Sequence, residues 1–379
     1  MKFNRSVKCH FSKWITGSKS DRIKDLLSEY DAVATSAIDV VKSRIEDGDS
    51  KFDVFKNYKV PETWLTARAK QVALAETYGM VDGQIKSCKE LKQPYTKPKH
   101  CKTKAVLSCN LASVNLNPQL EAFDLLVELR CFDSRRKAVK IAIPLKKNRC
   151  FEKWNSKGKL SSSVILTDKY IQFSFEADVP KKTEGSIIGL DPGATNLLTS
   201  DEGVIYGDRI KPLLQKLKRK KRNSRSWKKC KKEIKYYVSK TCKELPFKET
   251  KLICIENNKD IKRNSKVKGR LTKNMRSVLD GWTSGLLDSR VEMLSEENGV
   301  SLRRVPAFHN STTCPVCGHV EKGNRLSQEA FRCLSCDYAD KADTVGALNT
   351  LGRFSLGKYG SGFKTDFVKK HGGYYACKI

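Results

Sequence analysis

No run of about 18 apolar residues occurs anywhere in the 379-residue chain, so no segment reads as a membrane-crossing helix. Met1 to Phe11 lacks the apolar centre of a signal peptide, which predicts an intracellular protein. In a reducing compartment its 14 cysteines do not make a disulfide framework. Most of them, such as Cys131 and Cys254, sit in apolar strand-like runs and read as small buried hydrophobes. No internal repeat is present. Negative charge is scarce as well: 42 Asp+Glu face 74 Lys+Arg, a formal net charge of +32. An excess of that size calls for a large polyanionic partner. With 39% apolar residues the chain can nevertheless build real cores, so the charge decorates folded structure of more than one domain.

"KFNRSVKCHF" alternates Phe3, Val7, Cys9 and Phe11 on one face, the pattern of a half-buried strand. From Asp21 to Ile45 the apolar period becomes helical, through Ile23, Leu26, Leu27, Tyr30, Val33, Ala37 and Val41. A second helix is expected from Pro61 to a stop at Gly79. After a basic, proline-containing stretch, strands return at Phe123–Cys131, Val139–Ile143 and Ile171–Ala177. Together with the first strand they predict an antiparallel β-barrel interrupted by a helical lobe. "GSIIGLDPG" then opens a different region with an apolar strand, Ile187 to Leu190, ending in Asp191, and a hairpin turning at Asp201 to Gly203. "KLICIENN" is another short apolar strand ending in an acid, Glu256. From Asn274 an amphipathic helix with Leu279, Trp282, Leu286, Leu287, Val291 and Leu294 runs to an Asn298-Gly299 stop. A short helix, Ala342 to Leu351, and a Gly-, Lys- and aromatic-rich tail close the chain.

Cys314-x2-Cys317 and Cys333-x2-Cys336, with fifteen residues between the pairs, have the spacing of a four-thiolate structural Zn2+ site. Such a site has no open coordination position, so its zinc shapes the fold and does no chemistry. His309 and His319 are alternative ligands that the four-thiolate reading does not require.

Functional groups in sheets with parallel strands gather at the carboxyl ends of those strands. Asp191 and Glu256 both stand there, and if their strands are adjacent and parallel, about 4.8 Å apart, the carboxylates converge. Two converging carboxylates imply a cation, and Mg2+ suits hard oxygen ligands that also meet phosphate. A third acid allows two ions, the arrangement used in phosphodiester hydrolysis. Asp343 is the candidate, with Asp337 and Asp340 as competitors. Gly346, Ala347 and Asn349 favour Asp343, because they keep its helix thin enough to approach a sheet closely.

Residues 211 to 240 carry 14 Lys or Arg and a single acid, Glu233, and read as a long exposed basic helix or a helical pair. Lys218, Arg219, Lys220, Lys221, Arg222, Arg225, Lys228 and Lys229 are candidates for nucleic-acid contact, with Trp227, Tyr236 and Tyr237 as stacking groups. A second basic stretch after Glu256, "KDIKRNSKVKGRLTKNMR", is a candidate segment for gating an active site.

In order, "GLDPG", the strand ending at Glu256, the helix containing Trp282, "CPVCG", "CLSC" and "ADTVGALN" resemble the nuclease half of transposon-encoded TnpB proteins. These are compact relatives of type V CRISPR effectors, and the resemblance spans roughly Gly185 to Arg353. It implies a multidomain α+β chain: a wedge-type barrel with an inserted helical lobe, then a RuvC-type, RNase H-like nuclease domain carrying a zinc ribbon. The implied boundaries are 1–18 for the first wedge strand, 19–98 for the recognition lobe and 99–182 for the wedge. Residues 183–308 would form the nuclease domain, 309–340 the ribbon, 341–353 the last nuclease helix and 354–379 a basic flexible tail. The resemblance further implies Asp191, Glu256 and Asp343 as catalytic metal-binding residues, a guide RNA, a double-stranded DNA target and cleavage beside a short motif. A monomer or a dimer, cytoplasmic and nucleoid-associated, fits that reading. Where the family commonly has D-x-N-A-A-x-N, Val345 and Gly346 replace the first Asn and Ala here, while Asp343 and Asn349 remain. Two other readings share much of this sequence: a guide-free structure-specific nuclease, and a guided DNA-binding repressor.

Overall fold

The computed structural model describes residues 1–257 and 284–355, apart from 12, 59, 61, 91, 133, 134, 308 and 328. Trp282, the basic stretch after Glu256 and the tail beyond residue 355 lie outside the described residues. The chain divides into two compact units, one spanning Lys2–Asp178 and one beginning at Val179.

In the first unit, β1 (Lys2–His10), β7 (Tyr170–Asp178), β6 (Lys159–Thr167) and β2 (Lys104–Leu107) form an antiparallel sheet in that order. Strict alternation in β1 turns Phe3, Val7 and Cys9 inward. Arg5 follows them, its guanidinium stacked 4.2 Å from the Phe3 ring centre. A second antiparallel sheet joins β3 (Ala112–Asn115), β4 (Leu125–Phe132) and β5 (Ala138–Leu145). Its buried cross-strand pairs are Leu125 with Leu145, Val127 with Ile143 and Leu129 with Ile141. The strands expected to make one barrel therefore pair among the described residues as two separate ladders. A short helix, α5 (Arg149–Lys157), precedes β6 and buries Phe151 and Trp154.

The helical insertion holds α1 (Gly17–Ser36), α2 (Ile38–Glu46), α3 (Lys51–Asn57) and α4 (Ala67–Glu90). The expected helix from Pro61 to Gly79 is misplaced at both ends. Thr66 sets the start, its hydroxyl accepting the Ala69 amide at 3.2 Å. Gly79 does not stop the helix, because the apolar stripe continues through Val81 and Ile85. A closed polar network ties this insertion to β2. His100 Nδ1 lies 2.8 Å from Asp31, Tyr30 donates to Glu76 at 3.0 Å, and the Lys104 ammonium pairs with Glu76 at 2.6 Å. Burial pulls the Glu76 carboxyl upward, but the His100 ring 3.8 Å away and the bonds from Lys104 and Tyr30 outweigh it and hold Glu76 at about 2.

The second unit is built on a five-stranded mixed sheet. Its order is β10 (Ile205–Tyr206), β9 (Leu198–Ser200), β8 (Ser186–Pro192), β11 (Thr250–Glu256), β12 (Ser301–Val305). Strands β8, β11 and β12 are parallel, and β9 and β10 form the expected hairpin. The basic segment folds as a helical pair, α6 (Ile210–Lys218) and α7 (Arg225–Thr241). Leu214 and Leu217 of α6 and Cys230, Ile234 and Val238 of α7 enter the same core as Leu190, Ile253 and Ile255. In α8 (Ser284–Glu297) Leu287, Val291 and Leu294 do likewise, and the helix ends as expected, with Gly299 at φ +68°. A fork from Arg304 to Asp288, at 2.9 and 3.0 Å, links β12 to α8. Last come the hairpin β13 (Ala330–Arg332) with β14 (Ala339–Lys341), and α9 (Ala342–Ser355).

Candidate active site

The parallel register of β8 and β11 sets Ile255 beside Leu190, so Glu256 and Asp191 leave their strands side by side. Asp343 arrives from the first turn of α9, which packs across β8. A Cβ at Gly189 of β8 would collide with the Ala347 carbonyl oxygen, and one at Gly346 would stand 2.9 Å from the Asp191 carboxyl carbon. Strand and helix thus meet backbone to backbone, as the small residues of the last helix predict. All three acids line one open polar cleft of about 260 Å³, with Pro192, Gly193, Ala194, Thr195, Ala307, Ser311 and Arg325 completing its wall.

Electrostatics mark Asp191 as the innermost acid. Burial, then the charges of Glu256 and Asp343, push its carboxyl well above the ordinary range, against the opposing pull of Arg325. Three acids lining one cleft favour an added cation, and an all-oxygen donor set is of the kind Mg2+ takes, while among the described residues only the four cysteines have ligand atoms all within 4.8 Å of one another.

Side chains that the sequence reading did not single out hold these acids. Asn196 donates to Asp343 at 3.3 Å. Asn310, itself buried, donates to Glu256 Oε1 at 2.6 Å and to the Thr350 hydroxyl at 3.0 Å. Asn349 bonds the carbonyls of Asn310 and Thr313 at 2.6 and 2.8 Å, which pins the loop carrying Asn310 to α9. Only the polar run before Cys314 hinted at Asn310, and nothing in its spacing separates it from a turn residue. Asp337 and Asp340, the competitors of Asp343, stay within the ribbon: Asp337 pairs with Arg332 and Asp340 accepts from Tyr338 at 2.8 Å.

The four cysteines form the second site. Their sulfurs all lie within 4.8 Å of one another, in the order expected for tetrahedral thiolate coordination of Zn2+. Both knuckles repeat one geometry. The amide of Gly318 bonds the Cys314 carbonyl and that of Asp337 bonds the Cys333 carbonyl, at 3.0 and 3.1 Å. Gly318 and Asp337 both take positive φ, +74° and +56°, so that the chain can turn back after its second thiol. His319 faces Glu321 at 3.0 Å and His309 faces Thr312, away from any need to replace a thiol. Cys314, Phe331 and Cys333 share a small core with Ala342 and Val345, the neighbours of Asp343. Val345, a departure from the common last motif, is thereby explained as packing of α9 against the ribbon.

On the basic helical pair, Lys218, Arg219, Lys220, Lys221, Arg222, Arg225, Lys228 and Lys229 are exposed. Trp227 is half-buried against the core with Lys231 over its ring, and Tyr237 donates to Asp208. Tyr236 is the open aromatic, 73% exposed.

Residues 285–350 match the family model described as Cas12f1-like, TNB domain. The chain is 29% identical over 210 residues to a putative RNA-guided DNA endonuclease, InsQ, of Escherichia coli strain K12, covering 48% of this chain and 52% of InsQ. It is 32% identical over 71 residues to the CRISPR-associated endodeoxyribonuclease Cas12f1 of Sulfoacidibacillus thermotolerans, covering 19% of this chain and 17% of that protein. The chain thus spans about half the length of the first relative and far less of the second. Among solved structures, a Cas12f1–sgRNA–target DNA complex superposes with a TM-score of 0.53 at 14% identity, covering 89% of this chain and 83% of that one, a likeness of fold. These matches bear out the resemblance to compact relatives of type V CRISPR effectors, and they extend the α+β, multidomain likeness to most of the chain.

Proposed function

We propose that the protein is an RNA-guided DNA endonuclease that hydrolyses phosphodiesters at a single RuvC-type, RNase H-like site. The observation that carries this reading is the convergence of Asp191, Glu256 and Asp343 on one cleft, from two parallel strand ends and one helix start. Asp191, Glu256 and Asp343 would hold Mg2+, two ions in the fullest form. The metal would supply Lewis-acid stabilisation of the charge that grows on phosphoryl oxygens. The chain's own groups do the rest. Asn196 and Asn310 fix the facing of two of the carboxylates. Arg325 places a positive charge on the wall where a scissile phosphate would lie. Cys314, Cys317, Cys333 and Cys336 would hold Zn2+, and the core they share with Ala342 and Val345 fixes the start of α9, and Asp343 with it.

The guide RNA and double-stranded target would lie along the basic helical pair, whose exposed Lys and Arg offer backbone neutralisation without base readout. Under this reading residues 1–18 and 99–182 form a wedge and 19–98 a recognition lobe that together read the motif beside the target. Residues 183–308 and 341–353 form the nuclease domain around the ribbon, 309–340. Among the described residues no helix is long and apolar enough to cross a membrane.

The test begins with the chain expressed beside its native flanking DNA. RNA that stays bound through purification is sequenced and supplied back as guide in a Mg2+-dependent cleavage assay. A single structured RNA and cutting that disappears in Asp191→Ala, with target binding retained, support the reading. A smear of unrelated RNA with metal-dependent cutting would favour a guide-free nuclease, and guided binding without any cutting a repressor.

A further inference from the structure

Glu256 differs from its two companions in how it is held. Asp191 is fixed by the strand that carries it and by the backbone of α9 pressed against it at Gly346. Asp343 stands in the first turn of a helix anchored in the ribbon core on both sides, through Ala342 and Val345. Glu256 is the last residue of β11 and carries one more rotatable bond, so its carboxylate needs a partner to choose an orientation. Asn310 supplies it.

We infer that Asn310 is a positioning residue for the metal site, holding Glu256 Oε1 so that the second carboxylate oxygen is presented to the cation. The inference rests on the proposed metal-binding role of Glu256. Its geometry is specific. Asn310 is 2% exposed, and its amide nitrogen spends both hydrogens, one on Glu256 Oε1 at 2.6 Å and one on the Thr350 hydroxyl at 3.0 Å. The Thr350 bond stops the amide from turning away, and the two bonds from Asn349 to the backbone at 310 and 313 stop the loop from moving. An amide donor suits this place better than a cation, because it orients the carboxylate without neutralising the charge the metal needs. The same loop runs through Thr313 into Cys314, so the zinc site steadies Glu256 through Asn310 as well as Asp343 through α9. Groups that touch a ligand and not the metal commonly alter metal affinity by about 10- to 100-fold when removed.

The experiment compares the full-length wild-type chain with Asn310→Leu, which keeps bulk and removes the donor, and Thr350→Val, which keeps shape and frees the amide. Mn2+ binding to the purified protein is titrated by electron paramagnetic resonance, and the half-saturating Mg2+ for guided cleavage is measured alongside zinc content. Asn310→Leu is expected to weaken Mn2+ binding about tenfold and raise half-saturating Mg2+ by a similar factor. Cleavage at saturating metal should be largely restored and zinc content kept. Thr350→Val should move both values the same way by about threefold, with less risk to folding. Unchanged Mn2+ affinity in a folded, zinc-replete Asn310→Leu overturns the inference even if the wild type cleaves. So does a fall in zinc content and thermal stability in both variants with no shift in metal dependence. Weakened Mn2+ binding in a chain that never cuts DNA keeps the inference and removes the nuclease reading. A wild type that binds no Mn2+ removes both.

Discussion

Two clusters of half-buried acids in this chain sit at opposite electrostatic extremes. In the first unit Glu76 is surrounded by the donors of Tyr30, Lys104 and His100 and is held down at about 2. In the second, Asp191 is pushed up, first by burial and then by the charges of Glu256 and Asp343. A carboxylate whose charge is answered from within the fold stabilises that fold. One whose charge is multiplied by its neighbours costs stability and is retained for what it can bind.

Substitution should therefore separate the two clusters by sign. Asp191→Asn is expected to take metal-dependent cleavage to background while raising the thermal midpoint of the metal-free protein. Glu76→Gln should leave the chemistry of the cleft alone and destabilise the fold by roughly 2 kcal/mol, below the range for fully buried pairs because Lys104 keeps water contact. Calorimetry of both variants checks the sign, and a fall in midpoint for Asp191→Asn would erase the contrast. The next largest effect tests the zinc clip. Cys317→Ser should lose zinc and cleavage together while heparin or RNA retention persists, as read by metal analysis and a gel assay.

A pH series sharpens the comparison further. Burial lowers the His100 proton affinity, but the nearby Glu76 carboxylate and the bond to Asp31 outweigh it and raise His100 above 6.5. Its contribution is full below 6.5 and is lost as pH rises through the elevated folded value. Glu76 acts at the other end, contributing fully above 4.5 and losing that contribution as pH falls toward 2. Thermal melts should decline on both limbs, and His100→Gln should flatten the alkaline limb and, by removing one of the groups that hold Glu76 down, weaken the acid limb as well. The smallest effect is expected of Gly346→Ala. Gain in helix propensity of about 1 kcal/mol is offset by the shift forced on the Asp191 carboxylate, so stability should hold and cleavage fall about threefold.

Much of the acid cleft could be read in the chain because its carriers obey local rules. Asp191 and Glu256 each close a short apolar run, and the matched cysteine pairs announce where Asp343 must enter. Parallel pairing of the two runs was only a condition in the sequence, and it holds in the β8–β11 ladder. Asn310 and Asn196 escaped notice because a loop asparagine looks alike whether it caps a turn or grips a carboxylate 54 or 147 residues away. The helix around Gly79 was misread because a glycine punctuates a helix only when the apolar stripe ends with it, and Val81 and Ile85 carry the stripe on. Strand β12 was missed since its Arg303 and Arg304 mask a short edge strand whose charge is matched from α8. The split into two ladders in the first unit depends on pairings between distant strands, which alternation within each strand does not reveal.

Gly189 lets the main chains of β8 and α9 touch, and Gly346 leaves room for the Asp191 carboxylate. The distance between β8 and α9 at Gly189 is therefore set by peptide thickness, with no side chain between them through which drift in the sequence could retune it. Side chains that can be exchanged stand in the wall of the cleft, at positions such as Thr195 and Ser311. An engineer seeking to change what the cleft accepts should treat the β8–α9 contact as a casting and work on the wall.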